Sequence, residues 1–333
     1  MRPLFHPQLV NGATGDPCLY VELLFERRAL LFDMGEISRL AGRKLLRVSD
    51  VFVTHTHMDH FIGFDHMVRV CLGRDTGLRL FGPPRLIEQV EGRLQGYTWN
   101  LVANYKSDFT VTVTEIHAPD QARRARFRCR NAFKREQDEA LTIHDGRLVE
   151  EAAFRVRCVI LDHMIPCLGF RLEESMHVNI WKNRLLARGL PVGPWLKALK
   201  AAVIKGEGDE AVIRVPDTAT PGEWRSMRLG ELRDVLRVVR GQHLVYVTDV
   251  AYHEDNARRI VDLARQADLL FIETPFLDRD AEHAAAKYHL TALQAGALAR
   301  QAGVKMMVPM HFSARYADDY SVVEREAMSA FAQ

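Results

Sequence analysis

The stretch that decides the fold runs Asp50-Val51-Phe52-Val53-Thr54-His55-Thr56-His57-Met58-Asp59-His60. Its first half is β-branched and aromatic and reads as a buried strand. Its second half packs three imidazoles and a carboxylate into six residues. The cluster therefore sits on the loop leaving a strand's carboxyl end, where open α/β sheets place their ligands. Neutral imidazole nitrogens with one carboxylate suit zinc or a similar borderline divalent ion. A solvated polar loop has no need of so many ligand types at this spacing.

Outward from this stretch, other strands end in the same way. Residues 18–25 and 29–32 read as paired strands around the Glu26-Arg27-Arg28 turn. The second of them delivers Asp33 to a loop beginning Met34-Gly35. Residues 78–81 form a short strand closed by Gly82-Pro83-Pro84, with a helix from Arg85, and 109–116 alternates as a strand. Residues 154–161 lead to Asp162-His163, 244–248 to Asp249, and 269–272 to Glu273. A helix covers 255–266. Another opens at Thr291, with Gln294 three residues on as in a capping box, and closes at Gly303. The final strand, 304–310, ends at His311.

Asp33, the 55–60 cluster, His163, Asp249 and His311 thus collect at strand ends, the supply that two metals about 3.5–4 Å apart require. The natural partition puts His55, His57 and His163 on one ion and Asp59, His60 and His311 on the second, with Asp249 bridging. Asp33 orients the histidines from behind. Alone, His163 or His311 reads as a satisfied core histidine; beside the cluster both read as ligands. His6, His117, His144, His177 and His243 lack such context, His66 reads as packing or as support behind the ligands, and His253 and His283 stay open.

Composition is that of a soluble globular protein. No run of eighteen apolar residues suggests a membrane helix. The start, Met1-Arg2-Pro3-Leu4-Phe5-His6-Pro7, lacks a signal peptide's apolar core. Five cysteines without a CxxC pair suit a reducing cytosol. The expectation is a cytoplasmic protein with no membrane partner. The length of 333 residues admits two domains or one large α/β domain; we expect a single domain over 1–333.

Net charge is only +2, but it is unevenly spread. Arg123, Arg124, Arg126, Arg128, Arg130, Lys134 and Arg135 fall in one acid-free window within an insertion at about 117–151. Lys182, Arg184, Arg188, Lys197, Lys200 and Lys205 fall in another, within a segment at about 176–208 that reads as a projecting arm. Each window either tracks phosphates or is balanced in space by acids from elsewhere.

With these residues in hand, the chain resembles the metallo-β-lactamase superfamily, whose signature is HxHxDH, and within it the ribonuclease Z family, the tRNA 3′-processing endonucleases. Leu31-Phe32-Asp33-Met34-Gly35-Glu36, Phe81-Gly82-Pro83-Pro84, His289-Leu290-Thr291 after Glu273-Thr274-Pro275-Phe276-Leu277, and Met310-His311-Phe312-Ser313-Ala314-Arg315-Tyr316 are similar to that family's ordered motifs. Gly189-Leu190-Pro191-Val192-Gly193-Pro194 resembles its arm motif. The chain departs where the family usually has Gly-Thr-Gly (here Asn11-Gly12-Ala13-Thr14-Gly15), Gly-Thr-Gln (here Ile37-Ser38-Arg39), and a middle serine in the late motif (here Leu290). These departures suggest a divergent branch.

The resemblance implies an αββα sandwich, two packed mixed β-sheets flanked by helices. It implies two zinc ions per subunit, with manganese or iron also admitted by the donors. It implies metal-hydroxide attack on the phosphodiester that joins a 3′ trailer to precursor tRNA, and a homodimer. Asp59 would accept the water's proton, and His289, oriented by Glu273, would serve the scissile phosphate or leaving oxygen. Gly193, Pro194, Lys197 and Lys200 on the arm would contact substrate, with Ser313 and Arg315. Two alternatives stay open: a metallo-hydrolase of a small phosphodiester such as a cyclic nucleotide, and an inactive RNA-binding scaffold.

Overall fold

A computed structural model describes residues 4–24, 26–218, 220 and 222–333. They form two compact units. The larger comprises 5–148, 156–172 and 243–333, and the smaller is built on 149–155 and 173–242. The first sheet takes eight strands in chain order: β1 (Phe5–Leu9), β2 (Leu19–Leu23), β3 (Arg28–Phe32), β4 (Val48–Phe52), β5 (Gly77–Gly82), β6 (Thr110–Ala118), β7 (Gln121–Arg128) and β8 (Arg135–Thr142). Strands β3 to β6 are parallel and both flanks antiparallel. The strand reading of 18–25 holds over Leu19–Leu23, and Phe25 lies outside the described residues.

Next come β9 (Arg147–Glu150), β10 (Phe154–Asp162) and β11 (Pro166–Glu174). The smaller unit then adds β12 (His177–Ile180), β13 (Val212–Pro216), β14 (Trp224–Arg228) and β15 (Leu236–Val239). The last strands are β16 (His243–Val247), β17 (Leu269–Glu273) and β18 (Met307–Met310), mutually parallel in a second sheet ordered β18-β17-β16-β11-β10-β9. The final strand starts at Met307 rather than Val304. Gly303 still turns there with φ +64°, and the Lys305 amide donates to the Ala267 carbonyl, so the chain is still a loop.

Strand side chains alternate between faces, and a strand covered on both sides must be apolar throughout. Phe32 and Phe52 stack at 5.0 Å, and Phe52 and Phe81 at 5.2 Å. Across from them, Phe170 lies 5.6 Å from Phe52 and Tyr246 5.7 Å from Phe32, so the two sheets meet through one aromatic layer. The neighbouring Leu31, Val51 and Leu80 point the other way, onto the helices Phe64–Cys71 and Leu86–Gln95. On the far side, Val245, Val247, Leu270 and Ile272 pack with the helices Glu254–Ala264, Ala292–Gln301 and Ser321–Ala332. The larger unit is therefore a helix–sheet–sheet–helix sandwich. Truncating Phe52 to alanine in that layer costs about 3–5 kcal/mol.

The basic run in the 117–151 segment forms β7 and its junction with β8, and it does not stay bare. Antiparallel pairing sets Arg124 opposite Glu139 and Arg126 opposite Glu136. Arg123 pairs with Asp138 at 2.5 Å and Glu88 at 3.1 Å, Arg126 with Glu136 at 3.4 Å, and Arg128 with Asp108 at 2.5 Å. Arg135 meets Glu91, and Asp138 at 3.2 Å. Strand β8, the helix Leu86–Gln95 and Asp108 supply the acids that the sequence window lacks.

In the smaller unit, β12 pairs with β15 and β13 with β14. The helices Lys182–Ala187 and Trp195–Ile204 bury Leu185, Trp195, Leu196, Leu199 and Val203 with Ile213, Val215, Leu229 and Val235. The 176–208 segment thus shares a core with 212–235. Among the described residues, no helix is long and apolar enough to cross a membrane.

Candidate metal centre

The loops after β3, β4, β10, β16 and β18 bring the sequence-read donors into one cluster. Three of these residues leave their strands with positive φ: Asp33 at +57°, Asp249 at +49° and His311 at +60°. Such backbone is sparsely populated by non-glycine residues and persists where surrounding structure holds it. Here the holding is visible. The Met34 amide donates to the His60 carbonyl and the Gly63 amide to the Met34 carbonyl. Gly35 is required by close approach, since a Cβ there would lie 2.5 Å from the Asp59 carbonyl oxygen.

One donor atom each from His55, His57, His163 and Asp249 lies within 4.8 Å of the others, and the same holds for Asp59, His60 and His311. Asp249 reaches both groups. Its Oδ2 is 3.7 Å from His55 Nε2 and 3.6 Å from His163 Nε2. Its Oδ1 is 3.4 Å from His60 Nε2 and 3.0 Å from His311 Nδ1. Asp59 Oδ2 lies 3.4 Å from His311 Nε2 and 3.5 Å from His60 Nε2. His57 is exposed, its ring 4.4 Å from that of His55.

Behind the donors, Asp33 is completely buried and accepts from the Thr54 amide at 2.7 Å, the Thr54 hydroxyl at 2.9 Å and the Tyr246 hydroxyl at 3.1 Å. Its Oδ2 lies 3.0 Å from His60 Nδ1, which directs His60 Nε2 into the cluster. His163 Nδ1 donates to the Tyr288 carbonyl at 2.8 Å and so presents Nε2. Glu273 accepts from the Val250 and Leu290 amides at 3.1 Å, and its Oε2 is 2.8 Å from His289 Nδ1. Thr54, Tyr246 and the Tyr288 carbonyl were not singled out by the sequence. Thr54 and Tyr246 had a signal, as polar groups in wholly apolar strand runs; a carbonyl has none.

The electrostatics call for added cations. His55 Nε2 and His60 Nε2 are buried without a hydrogen-bond partner, an expensive state unless something binds them. Burial, with His60 and the other imidazoles, pushes His55 down to about 2. Burial also opposes charge on His60, yet Asp249 and Asp33 lift it to about 10. Burial likewise opposes charge on Asp249, but His311 and His60 hold it well below the carboxylate range. Glu273, buried beside His289, is brought down to about 2, and that carboxylate lifts His289 in turn. Imidazoles and carboxylates converging on shared space fit bound divalent metal.

The remaining residues read as substrate contacts are not among these donors. Gly193, Pro194, Lys197 and Lys200 belong to the smaller unit, with Pro194 just ahead of the helix Trp195–Ile204. Ser313 accepts from the Arg315 amide, and the exposed Arg315 side chain lies 3.6 Å from Asp280.

A sandwich of two facing sheets with a histidine–aspartate cluster on the loops leaving its strands defines the metallo-β-lactamase fold. Consistent with that, residues 205–312 match the family model of the beta-lactamase superfamily domain. The metallo-beta-lactamase fold protein YhfI of Bacillus subtilis superposes with a TM-score of 0.55 at 17% identity, covering 98% of this chain and 94% of that one. Sequence comparison narrows the class. The chain is 32% identical to Ribonuclease Z of Deinococcus radiodurans over 308 residues, 91% of this chain and 88% of that protein. It is 33% identical to Ribonuclease Z of Thermobifida fusca over 303 residues, 88% and 78% of the two. The chain belongs to the ribonuclease Z family.

Proposed function

We propose that this chain is a metal-dependent endoribonuclease that removes the 3′ trailer of precursor tRNA by hydrolysing a phosphodiester. The observation that carries the reading is Asp249, one carboxylate within 3.7 Å of four imidazoles. A carboxylate shared between two groups of imidazoles would suit a pair of divalent ions. His55, His57 and His163 would hold one ion and Asp59, His60 and His311 the other. Zinc is the ion proposed, and the same donors accept manganese or iron. Bound there, the ions supply Lewis acidity that lowers the pKa of water and offsets charge on the phosphoryl oxygens.

The chain's own groups do the rest. Asp59, half-exposed and drawn down to about 2 against its burial by His311 and His60, takes up the proton of the attacking water. Glu273 fixes His289 through Nδ1, leaving Nε2 to serve the scissile phosphate and protonate the leaving oxygen. Asp33 and the Tyr288 carbonyl hold His60 and His163 in the tautomers that ligation needs. Gly193, Pro194, Lys197 and Lys200, with Ser313 and Arg315, contact the RNA. The reading includes a homodimer, as the resemblance implies. It also includes a cytoplasmic site of action, which the five buried free cysteines support.

The test is cleavage of a precursor tRNA with a 3′ trailer, beside bis(p-nitrophenyl) phosphate, by wild type and His57→Ala. Cutting after the discriminator nucleotide, slowed by more than about 100-fold in the variant, is expected. Hydrolysis of the small diester alone would make the chain a small-substrate phosphodiesterase. No reaction in zinc-loaded or manganese-loaded protein would overturn the enzymatic reading.

A further inference from the structure

Residues 11–17 link β1 to β2, and the reading above gives this loop no task. Asn11 organises it. Its side chain is only 8% exposed, and Nδ2 donates to the Asp16 carbonyl at 2.9 Å and to the Glu36 carbonyl at 2.8 Å. Carbonyls only accept, so the amide must turn its nitrogen toward them. Oδ1 is then left buried without a partner. An orphaned buried oxygen is costly. The chain tolerates that cost to keep two donors on one short side chain, and those donors tie the loop to itself and to the segment that follows Asp33.

The loop so fixed touches two others. The Gly35 amide donates to the Pro17 carbonyl at 3.1 Å. A Cβ on Gly35 would lie 2.4 Å from Asp16 Cβ and 2.5 Å from the Asp59 carbonyl oxygen, so Gly35 is a thin spacer between Asp16 and Asp59. The neighbouring Met34 amide donates to the His60 carbonyl at 2.8 Å. On the other side, the Ala13 carbonyl accepts from the Phe312 amide at 3.0 Å, and Ala13 packs on the apolar cluster that contains Phe312. That hydrogen bond fixes the peptide joining His311 to Phe312, directly after a residue with φ +60°. Asp59, His60 and His311 are the three members of one donor group. Among the described residues, no hydrogen bond joins loop 11–17 to His55, His57 or His163.

We propose that Asn11 is a positioning residue for that one group. Through Glu36 and the loop 11–17 it braces the main chain that carries Asp59, His60 and His311. It thereby sets the affinity for the ion they would hold, without touching that ion. The inference rests on the two-ion reading above.

Zinc bound per chain and its affinity, measured by titration against a chromophoric chelator, test the proposal. Asn11→Asp keeps the size and sets an oxygen against two carbonyls. It weakens one of two ions by about tenfold or more and leaves the other within about twofold. In an Asp59→Ala background the same change adds nothing, and in a His57→Ala background it keeps its full effect. A general loss of rigidity would weaken both ions alike and would show in both backgrounds. The coupling is reciprocal. Zinc added to His57→Ala protein therefore slows hydrogen exchange of the Phe312 amide, and zinc added to Asp59→Ala protein does not. If Asn11→Asp does not fold, the exchange measurement decides alone. Equal weakening of both ions, wild-type zinc binding in Asn11→Asp, or Phe312 exchange indifferent to zinc overturns the proposal and spares the two-ion reading. Wild type that takes up fewer than two ions sinks that reading, and this inference with it.

Discussion

Two stretches rich in ionisable residues, 55–60 and 123–135, end in opposite states. The first converges on space its members do not satisfy: His55 Nε2 and His60 Nε2 are buried with no hydrogen-bond partner, around a carboxylate held ionised. The second is spread over β7 and the start of β8, where Arg123, Arg126, Arg128 and Arg135 each meet an acid. Both stand out along the chain as clusters of ionisable residues. They differ in what folding leaves over. Buried donors that cannot complete one another require a ligand, whereas exposed charges paired across strands require nothing further. Functional weight follows the unsatisfied remainder, and the predictions below probe that remainder.

The largest effect is expected at Asp249, the carboxylate common to both groups of donors. Asp249→Asn keeps the shape and removes the charge that faces His55, His60, His163 and His311. Cleavage falls on the order of 10³-fold, and metal measured per chain falls with it. Near-wild-type rate and metal content would mean that the cluster is satisfied without this carboxylate, and the contrast between the two stretches would collapse.

The same remainder predicts a pH dependence of the metal-free chain. His60 is lifted to about 10 by Asp249 and Asp33 against the effect of burial, and His289 and His311 are lifted too. A raised folded pKa stabilises fully below the unfolded value near 6.5 and is lost as pH rises toward the folded one. The melting temperature of metal-free protein should therefore fall by several degrees between pH 6.5 and 8.5. Metal-loaded protein should stay level over that interval, because the bound cation replaces the proton. The interval stops short of the range where the buried thiols of Cys18 and Cys158, raised mainly by burial, add their own alkaline loss. Parallel curves for the two forms would show that protons do not stand in for metal here.

Much of the site could be read from sequence because side-chain donors are residue types and strand exits are marked by apolar runs that stop. Asp33, Asp249 and His311 each follow such a run, and the structure brings them to His60 and Asp59 of the 55–60 cluster. The covered strands were legible for the same reason: Leu31-Phe32 and Val51-Phe52 are apolar on both faces, whereas the sandwich of two sheets was implied only by the family resemblance. What stayed hidden depends on register or on main-chain atoms. Tyr246 meets Asp33 across the two sheets, and the group that holds His163 is the carbonyl of Tyr288. The acids opposite β7 lie on β8, on the helix Leu86–Gln95 and at Asp108, and counting charge along a window cannot find them. The core of the smaller unit was hidden too, since Trp195, Leu196 and Leu199 find Ile213 and Val235 only after two strands have folded back.

The smallest effect is expected in the run that looked most basic. Arg123→Ala removes a cation already paired with Asp138 and Glu88 on a surface where both partners are partly exposed. Such pairs are screened by solvent, so stability should change by about 1 kcal/mol or less. A guanidinium engaged by two carboxylates must break those contacts to reach a phosphate, and the acids remain beside it to repel the RNA. Affinity for precursor tRNA should therefore stay within about twofold of wild type. The slope of log affinity against log salt should also be unchanged, whereas a lost phosphate contact would reduce it by about 0.9. The measurement is binding of Arg123→Ala at several salt concentrations beside wild type. A tenfold loss with a shallower slope would place this face against RNA despite its acids, and paired charge would then carry function as surely as the unpaired cluster does.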